Sequence, residues 1–522
     1  SHKQLYIKRG SAQPSSVVRP PGQQPWRRSR RESTSASRSW NSPAPGTLGA
    51  CRTKSCAKTL LVQVVDFNCK ALSKTVPARH RTGGVFMYSG AIAMGANSVV
   101  LTFPEEVGNA GCPNFKLVPD WTTEQVLPWA CKPGVSVKRV YCEQLAGSKE
   151  GSIKNQAVPR TVCMKMLDEL KNFGGKGYEM LIGGELEFTV MKPGDDKGWA
   201  PYFDGVDILA TLQNSKSMDF CYDLERDMEA VGVDILTMNA EYGAGQLEIA
   251  FAPKFGAEAC DMTATFRTGT KEIAQNRGLM ASFMARPFGV AGVGNGGHFN
   301  FSLWSPDEAG AGSASAVADA EDALSKTTAG KTNVLHSASD ADGLSSTARH
   351  FLAGVLAHAS ALEAVCAPTV PCYTRHGNWA PVVANWGFED RTACVRVKAD
   401  PAGNPSACYM ELRLPSASAN PYLVAAAVVA AGLDGLERKL ELPPARQTKE
   451  QGAAPIPTTL EGALQALEQD HYMVDKLGKD FVRWYAAVKR AEEKFINDAL
   501  ATGGRSDEEV SKAWQHMYLE YL

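Results

Sequence analysis

The 522-residue chain lacks several things that would have placed it quickly. It has no run approaching the eighteen or more uninterrupted apolar residues that a membrane helix needs; the best candidate, Ala419 to Leu433, is too short and holds Asn420 and Pro421. It has no excess of one charge, and a formal net charge of −1 excludes the overall positive field that sequence-independent nucleic-acid binding requires. Its thirteen cysteines include no CxxC pair and no CxH spacing. They sit singly in apolar settings such as Cys366, Cys372 and Cys394, which reads as reduced thiols, excludes cysteine-ligated zinc, and favours a cytoplasmic setting over a secreted one. Also missing are a GxxxxGK[ST] loop and the HRD and DFG triplets of kinases, so the common nucleotide-binding scaffolds are excluded.

What is present divides unevenly along the chain. Residues 1–56 are rich in Ser, Pro and Arg, with eleven Lys or Arg against the single acid Glu32. Such a segment buries too little apolar surface to fold, and it reads as a disordered basic arm. Its bias resembles an organelle transit peptide, yet the chain begins with Ser1, so an uninformative tail is the first expectation and targeting the second. Residues 57–148 carry short β-branched runs (Leu60–Val65, Ser98–Phe103, Ser136–Cys142) broken by Gly and Pro, the pattern of a small sheet domain. From 149 to 522 strands and helices alternate in an α+β arrangement, opening with a helix over Pro159–Phe173 that starts on proline. Within it, 305–347 is rich in Ala, Gly, Ser and Asp and reads as a surface insertion with a short helix near Ala316–Ser325. Residues 459–522 read as helical, with a packing stripe through Leu464, Leu467, Val474, Leu477, Phe481, Trp484 and Val488.

Four strand-like segments carry the chemistry. Alternation puts Glu185 and Glu187 on one face of Met180–Val190, and Gln246 and Glu248 on one face of Gly243–Phe251, with Glu241 seven residues before Glu248. It puts His298, Asn300 and Ser302 on one face of His298–Trp304, and Glu411 with Arg413 on one face of Met410–Leu414. Any one such face ordinarily meets water. Five glutamates and a histidine brought together inside a protein need cations to neutralise them, and carboxylates with one imidazole suit Mg²⁺ or Mn²⁺. Arg375, Arg391, Arg396 and Arg413 supply guanidinium forks that match phosphate or carboxylate oxygens. Metals and arginines together point to phosphoryl transfer from ATP.

These segments resemble the glutamine synthetase family, in the branch with lengsin and the glutamate–amine ligases. The resemblance rests on GGELEF at 183–188, EYGAGQLEIAF at 241–251, GNGGHFNFSLW at 294–304, LAGVLAHASALEAVCAPTVPCYTR at 352–375 and the ELRLPSASANPYLV segment from Glu411. DFNCKALSKTVPA from Asp66 and VPDWTTEQVLPW at 118–129 are similar to that branch's small β-grasp domain. The implied fold is a β-grasp domain followed by a catalytic domain built on an antiparallel half-barrel sheet flanked by helices.

The resemblance implies that Glu187, Glu241 and Glu248 hold one metal and Glu185, His298 and Glu411 another. It makes Arg375 the partner of the glutamate carboxylate, and Arg391, Arg396 and Arg413 partners of phosphate. Asn300 and Ser302, with Arg396, fall at the nucleotide, and Gly294 in the substrate loop. The implied reaction phosphorylates the γ-carboxylate of glutamate with ATP, then lets ammonia or a primary amine attack, in a homo-oligomeric ring. Three departures fall on the acceptor side. Val293 stands where an Asn is expected before Gly294, Trp379 stands where a catalytic Glu is expected, and no Asp lies between Asp66 and Glu105. Trp379 is expected either to pack under its loop or to meet an organic amine through its ring. The alternative is a lengsin-like protein without turnover, serving a structural or chaperone-type role.

Overall fold

The computed structural model describes residues 57–98, 109, 111–146, 153–195, 198–205, 208–306, 323–377, 379–399 and 404–522. The basic arm, the strand expected over Ser98–Phe103 and the first half of the 305–347 segment lie outside the described residues, apart from Ser98 and the segment's start. Residues from Thr53 onward form one compact unit.

Two sheets organise that unit. In the smaller one, Ala57–Val65 pairs antiparallel with Ala71–Pro77 and parallel with Val135–Ala146, which continues through Asn114–Pro119 to Val85–Tyr88. Leu60, Val62 and Val64 point to one side of the first strand and are buried, as a period-two pattern requires. The tight turn after it, Asp66 to Lys70, is held by Asp66 Oδ1 accepting from the backbone N–H groups of Asn68 (2.9 Å) and Lys70 (2.8 Å).

The larger sheet is mostly antiparallel and curves into a near-barrel. Its strand order is Ile235–Ala240, Gln246–Phe251, Glu179–Pro193, Gly297–Pro306, Tyr409–Leu412, Val395–Lys398 and Trp386–Phe388, and the last two run parallel. The helix Pro159–Asn172 forms with proline at its start, as the sequence predicts. Of the 305–347 segment, the described part adds a short helix, Ala323–Thr327, and a strand, Lys331–Asn333, which pairs with the end of Gly297–Pro306; Leu335 and Leu344 beyond it are buried.

The apolar stretch after Ala419 becomes the helix Pro421–Arg438, capped by Asn420 accepting from Tyr422 N–H and buried from Tyr422 to Leu436. A helix apolar all round belongs in a core, and among the described residues no helix is long and apolar enough to cross a membrane. Gly354 on the helix Ser346–Ala357 and Gly435 allow the close approach: a Cβ on Gly354 would lie 2.2 Å from Ala431 O. Beyond Thr459 come four helices, Leu460–Gln469, His471–Leu477, Lys479–Gly503 and Asp507–Tyr518, whose apolar stripe packs as expected. The third also reaches the small sheet's turn. Buried Glu492 accepts from Asn68 Nδ2 (3.0 Å) and Ala96 N–H (2.8 Å), while Lys489 Nζ bonds Glu492 at 3.2 Å and Asn68 Oδ1.

Candidate active site

Strand register, more than any single motif, assembles the polar residues. Glu187 sits directly opposite Glu248, and Glu185 directly opposite His298. Asn300 faces Glu411, and Glu411 faces Arg396 on its other side. Directly opposed residues have Cβ atoms about 4.5–5.5 Å apart, so five strands deliver one continuous polar row. Glu241 lies just past the end of Ile235–Ala240, held by its N–H donating to Gln246 O (2.9 Å) and its carboxylate accepting from Asn239 Nδ2 (3.1 Å).

Ligand atoms of Glu185, His298 and Glu411 all lie within 4.8 Å of one another. The His298 Nδ1 atom is 3.1 Å from Glu185 Oε2 and 3.5 Å from Glu411 Oε1, and Asn300 Nδ2 donates to Glu185 Oε1 at 3.0 Å. Burial works to raise the Glu185 carboxyl, but the imidazole and the Asn300 amide outweigh it and bring it down to about 2. Glu187 accepts from Gln246 Nε2 (3.0 Å) and from the Gly296 N–H (2.7 Å).

The other half of the row is uncompensated. Burial, and then the charges of Glu187, Glu185 and Glu241, push Glu248 up to about 8, against a smaller pull from Arg391. Burial and then Glu187 raise Glu241 as well. Carboxylates that repel one another on a half-buried face are the donor set a hard divalent cation fits, since its charge removes the repulsion and oxygen ligands suit it. The fit of such a cation rests on that donor chemistry.

The arginines divide. Arg396 and Arg413 are buried and turn toward Glu411: Arg396 Nη1 donates to Oε2 at 2.9 Å and Arg413 Nη1 to Oε1. Arg413 lies one residue past the end of its strand yet keeps the face shared with Glu411. Arg396 also binds Glu389, a residue with φ +50°. Arg391 is exposed and acts on Glu248 only through its charge. Arg375 is buried against the Gly294–Gly296 backbone; a Cβ on Gly294 would meet its Cγ at 3.0 Å and one on Gly296 its Nη2 at 3.1 Å. Behind it, His376 Nε2 is 2.8 Å from Glu363, a buried acid whose pKa burial raises.

Ser302 is buried and accepts from Trp304 Nε1 at 2.9 Å. With Glu185, Asn300 and Tyr409 it lines a cavity of about 310 Å³, into the usual range for small-molecule pockets. The Asn300 Oδ1 atom is buried without a hydrogen-bond partner among the described residues. Trp379 does not pack under its loop: it is 74 % exposed, with φ +64°, so packing fails as its explanation. Val293 is also exposed.

Gln246, Asn295 and Glu389 are the residues that strand-face reasoning underweights. Gln246 Nε2 donates to Glu187, to Gly294 O (2.9 Å) and to Asn295 Oδ1 (2.9 Å), tying the loop at Gly294 and Asn295 to the acid row; its position two before Glu248 was the available signal. Asn295 turns inward to Met284 O (2.9 Å), so it does not replace the side chain lost at Val293. Glu389 sits in a loop with no periodic pattern to mark it.

Residues 156–502 match the model of the glutamine synthetase catalytic domain. The chain is 32% identical over 394 residues to the glutamine synthetase of Methanocaldococcus jannaschii, covering 72% of this chain and 78% of that protein. It is 29% identical over 451 residues to human lengsin, covering 82% and 79%. Among solved structures it resembles a GmaS–ADP complex, with a TM-score of 0.68, 25% identity, and coverage of 85% of this chain and 95% of that one.

Proposed function

The chain belongs to the glutamine synthetase family, and on that premise we propose that it is an ATP-dependent carbon–nitrogen ligase joining the γ-carboxylate of glutamate to a primary amine or ammonia. The observation that carries this reading is the acid row: Glu185, His298 and Glu411 with ligand atoms inside 4.8 Å, beside Glu187, Glu241 and Glu248 in mutual repulsion. In this reading the first trio holds one Mg²⁺ or Mn²⁺ and the second trio another. Bound there, the cations neutralise the phosphates of ATP and the charge that develops in transfer.

This chain's side chains supply the rest. Arg375, held over Gly294 and Gly296, binds the α-carboxylate of glutamate and orients its γ-carboxylate toward the acid row. Asn300 and Ser302 meet the nucleotide from the wall of the 310 Å³ cavity, and the orphaned Asn300 Oδ1 finds its partner there. A γ-carboxylate oxygen attacks the terminal phosphorus and ADP leaves. The amine nitrogen then attacks the acyl carbon of the γ-glutamyl phosphate, phosphate departs, and the nitrogen loses its proton. Arg391, exposed near Glu248, together with Arg396 and Arg413, faces the transferred phosphoryl group; Arg396 and Arg413 do so by releasing part of their hold on Glu411. A neighbouring structure in complex with ADP supports the nucleotide assignment.

The acceptor is an organic amine in preference to ammonia. The acids that draw ammonium in the family pattern are replaced or absent, while Trp379 and Val293 stand exposed where an apolar amine body or a cation over a ring is accommodated. A lengsin-like scaffold without turnover has less support, because a scaffold gains nothing from uncompensated half-buried acids. The working protein in this reading is a cytoplasmic homo-oligomeric ring. Phosphate release from Mg-ATP and glutamate, measured with ammonium and then with a panel of simple amines and polyamines, tests it. The expected result is stronger stimulation by an amine with an apolar body. Stimulation by no amine at all, with ATP bound, would sink the ligase reading.

A further inference from the structure

Away from the acid row, a second cavity of about 460 Å³ opens where the small sheet's first turn meets the end of the helix Ala257–Asn276 and the strand Met280–Ser282. Three cations line it: Lys70, Arg267 and Lys271. Lys70 Nζ pairs with the buried Asp66 carboxylate at 3.5 Å and donates to Ala96 O (2.8 Å), whereas Arg267 Nη1 meets only neutral carbonyls, Ala419 O at 2.8 Å and Ser418 O at 3.4 Å. The Arg267 Nε atom is buried without a hydrogen-bond partner among the described residues. Lys271 makes no hydrogen bond and no ion pair among the described residues.

Two side-chain carboxylates, Glu272 and Glu520, line the same cavity. Glu272 is held by Trp129 Nε1 at 2.5 Å and also feels the charge of Lys271, while Glu520 acts on Lys271 through its charge, less strongly than Arg267 and Lys70 do. Burial first, then Arg267 and Lys70, drive Lys271 down to about 7. The opposite side of the cavity is apolar, with Trp199 exposed on its short strand and Leu279 beside it.

We infer that this cavity is a binding site for a small organic anion, a carboxylate or phosphate ester whose charged head meets Lys271 and Arg267 while its apolar body lies against Trp199. The volume falls within the 300–1,000 Å³ range of small-molecule sites, and few convergent charges over an apolar floor are their usual construction. The cavity touches Met280 and Ala281, which pair with Met191 and Val190 at the far end of the strand that carries Glu185 and Glu187. An occupant therefore sits against the scaffold of the acid row without entering it.

The test uses the full chain without ATP or metal. Phenyl phosphate, benzoate and inorganic phosphate are titrated by calorimetry, and acylation of Lys271 by an amine-reactive ester is followed by peptide mass spectrometry. One or both organic anions are expected to bind saturably and to slow Lys271 labelling, and their ranking tells phosphate ester from carboxylate. Lys271→Met is expected to weaken that binding by about tenfold or more, as loss of a charge-assisted contact requires. Absence of protection by any of the three anions overturns the site, as does unchanged affinity in Lys271→Met. Inorganic phosphate binding as tightly as phenyl phosphate overturns the role of Trp199. The labelling of the unmodified chain decides the matter even if the variant misfolds.

Discussion

Two regions of this molecule bury ionised groups, and they treat them in opposite ways. On the inner face of the large sheet, Glu248 and Glu241 repel their neighbours and are pushed upward. Where the C-terminal helices pack against the rest of the unit, two buried sets of charges are closed. Glu492 and Lys489, both fully buried, bond one another and share Asn68. His358 lies between Asp470 (2.5 Å) and Asp434 (3.0 Å), with Arg438 donating to Asp434 at 2.8 Å. A closed set of charges is a structural device, whereas a buried set left open costs stability and persists where a ligand completes it.

The contrast breaks most visibly at the acid row. Glu185→Ala or His298→Ala removes a member of the Glu185, His298 and Glu411 trio and, on the proposed reading, is expected to abolish metal-dependent ATP binding, more than the roughly 10- to 100-fold that an outer partner costs. Calorimetry with Mg-ATP reads it, and unchanged nucleotide affinity in both variants would show the row to be inert. Next comes Glu492→Ala. It strands Lys489, the Asn68 amide and the Ala96 N–H in a fully buried place, so a loss of about 3–5 kcal/mol is expected from denaturant unfolding. Glu248→Gln is the same operation, deletion of one carboxylate charge, with the opposite sign. It relieves the repulsion and stabilises the metal-free protein by about 1 kcal/mol after discounting for solvent screening. A destabilised Glu248→Gln protein would erase the distinction between the two regions.

The smallest effect is one of pH. Burial lowers His358, but its bonds to Asp470 and Asp434 outweigh that and raise it above 6.5. A raised histidine contributes stability in full below its unfolded pKa, and that contribution is lost as pH rises through the higher folded value. His358→Gln should therefore flatten the decline in stability above pH 6.5 while leaving Mg-ATP binding alone. An identical pH profile in the variant would remove His358 from the closed set.

Much of the candidate site was legible in the residues because β-alternation is strict. Glu185 with Glu187, Gln246 with Glu248, and His298 with Asn300 share faces whatever their strands pair with. The helix from Pro159 and the C-terminal apolar stripe were legible for the same reason, since periodicity follows from backbone geometry. Trp379 was not. Its exposure depends on a positive-φ turn between Gly377 and Ala380, and nothing in HGNWAP specifies whether its ring turns inward. Nor was the attachment of Arg396 to Glu389, because the two meet across a loop with no period of its own.

The sequence by itself determined which residues carry the acids and which side of each strand they occupy, because side-chain alternation is a local property of extended backbone. Tertiary structure alone decided that Glu187 faces Glu248, that Glu185 faces His298 and that Glu411 is claimed by two arginines. Strand order and register join segments up to 226 residues apart, Glu185 and Glu411, and those depend on how the whole sheet packs against its helices.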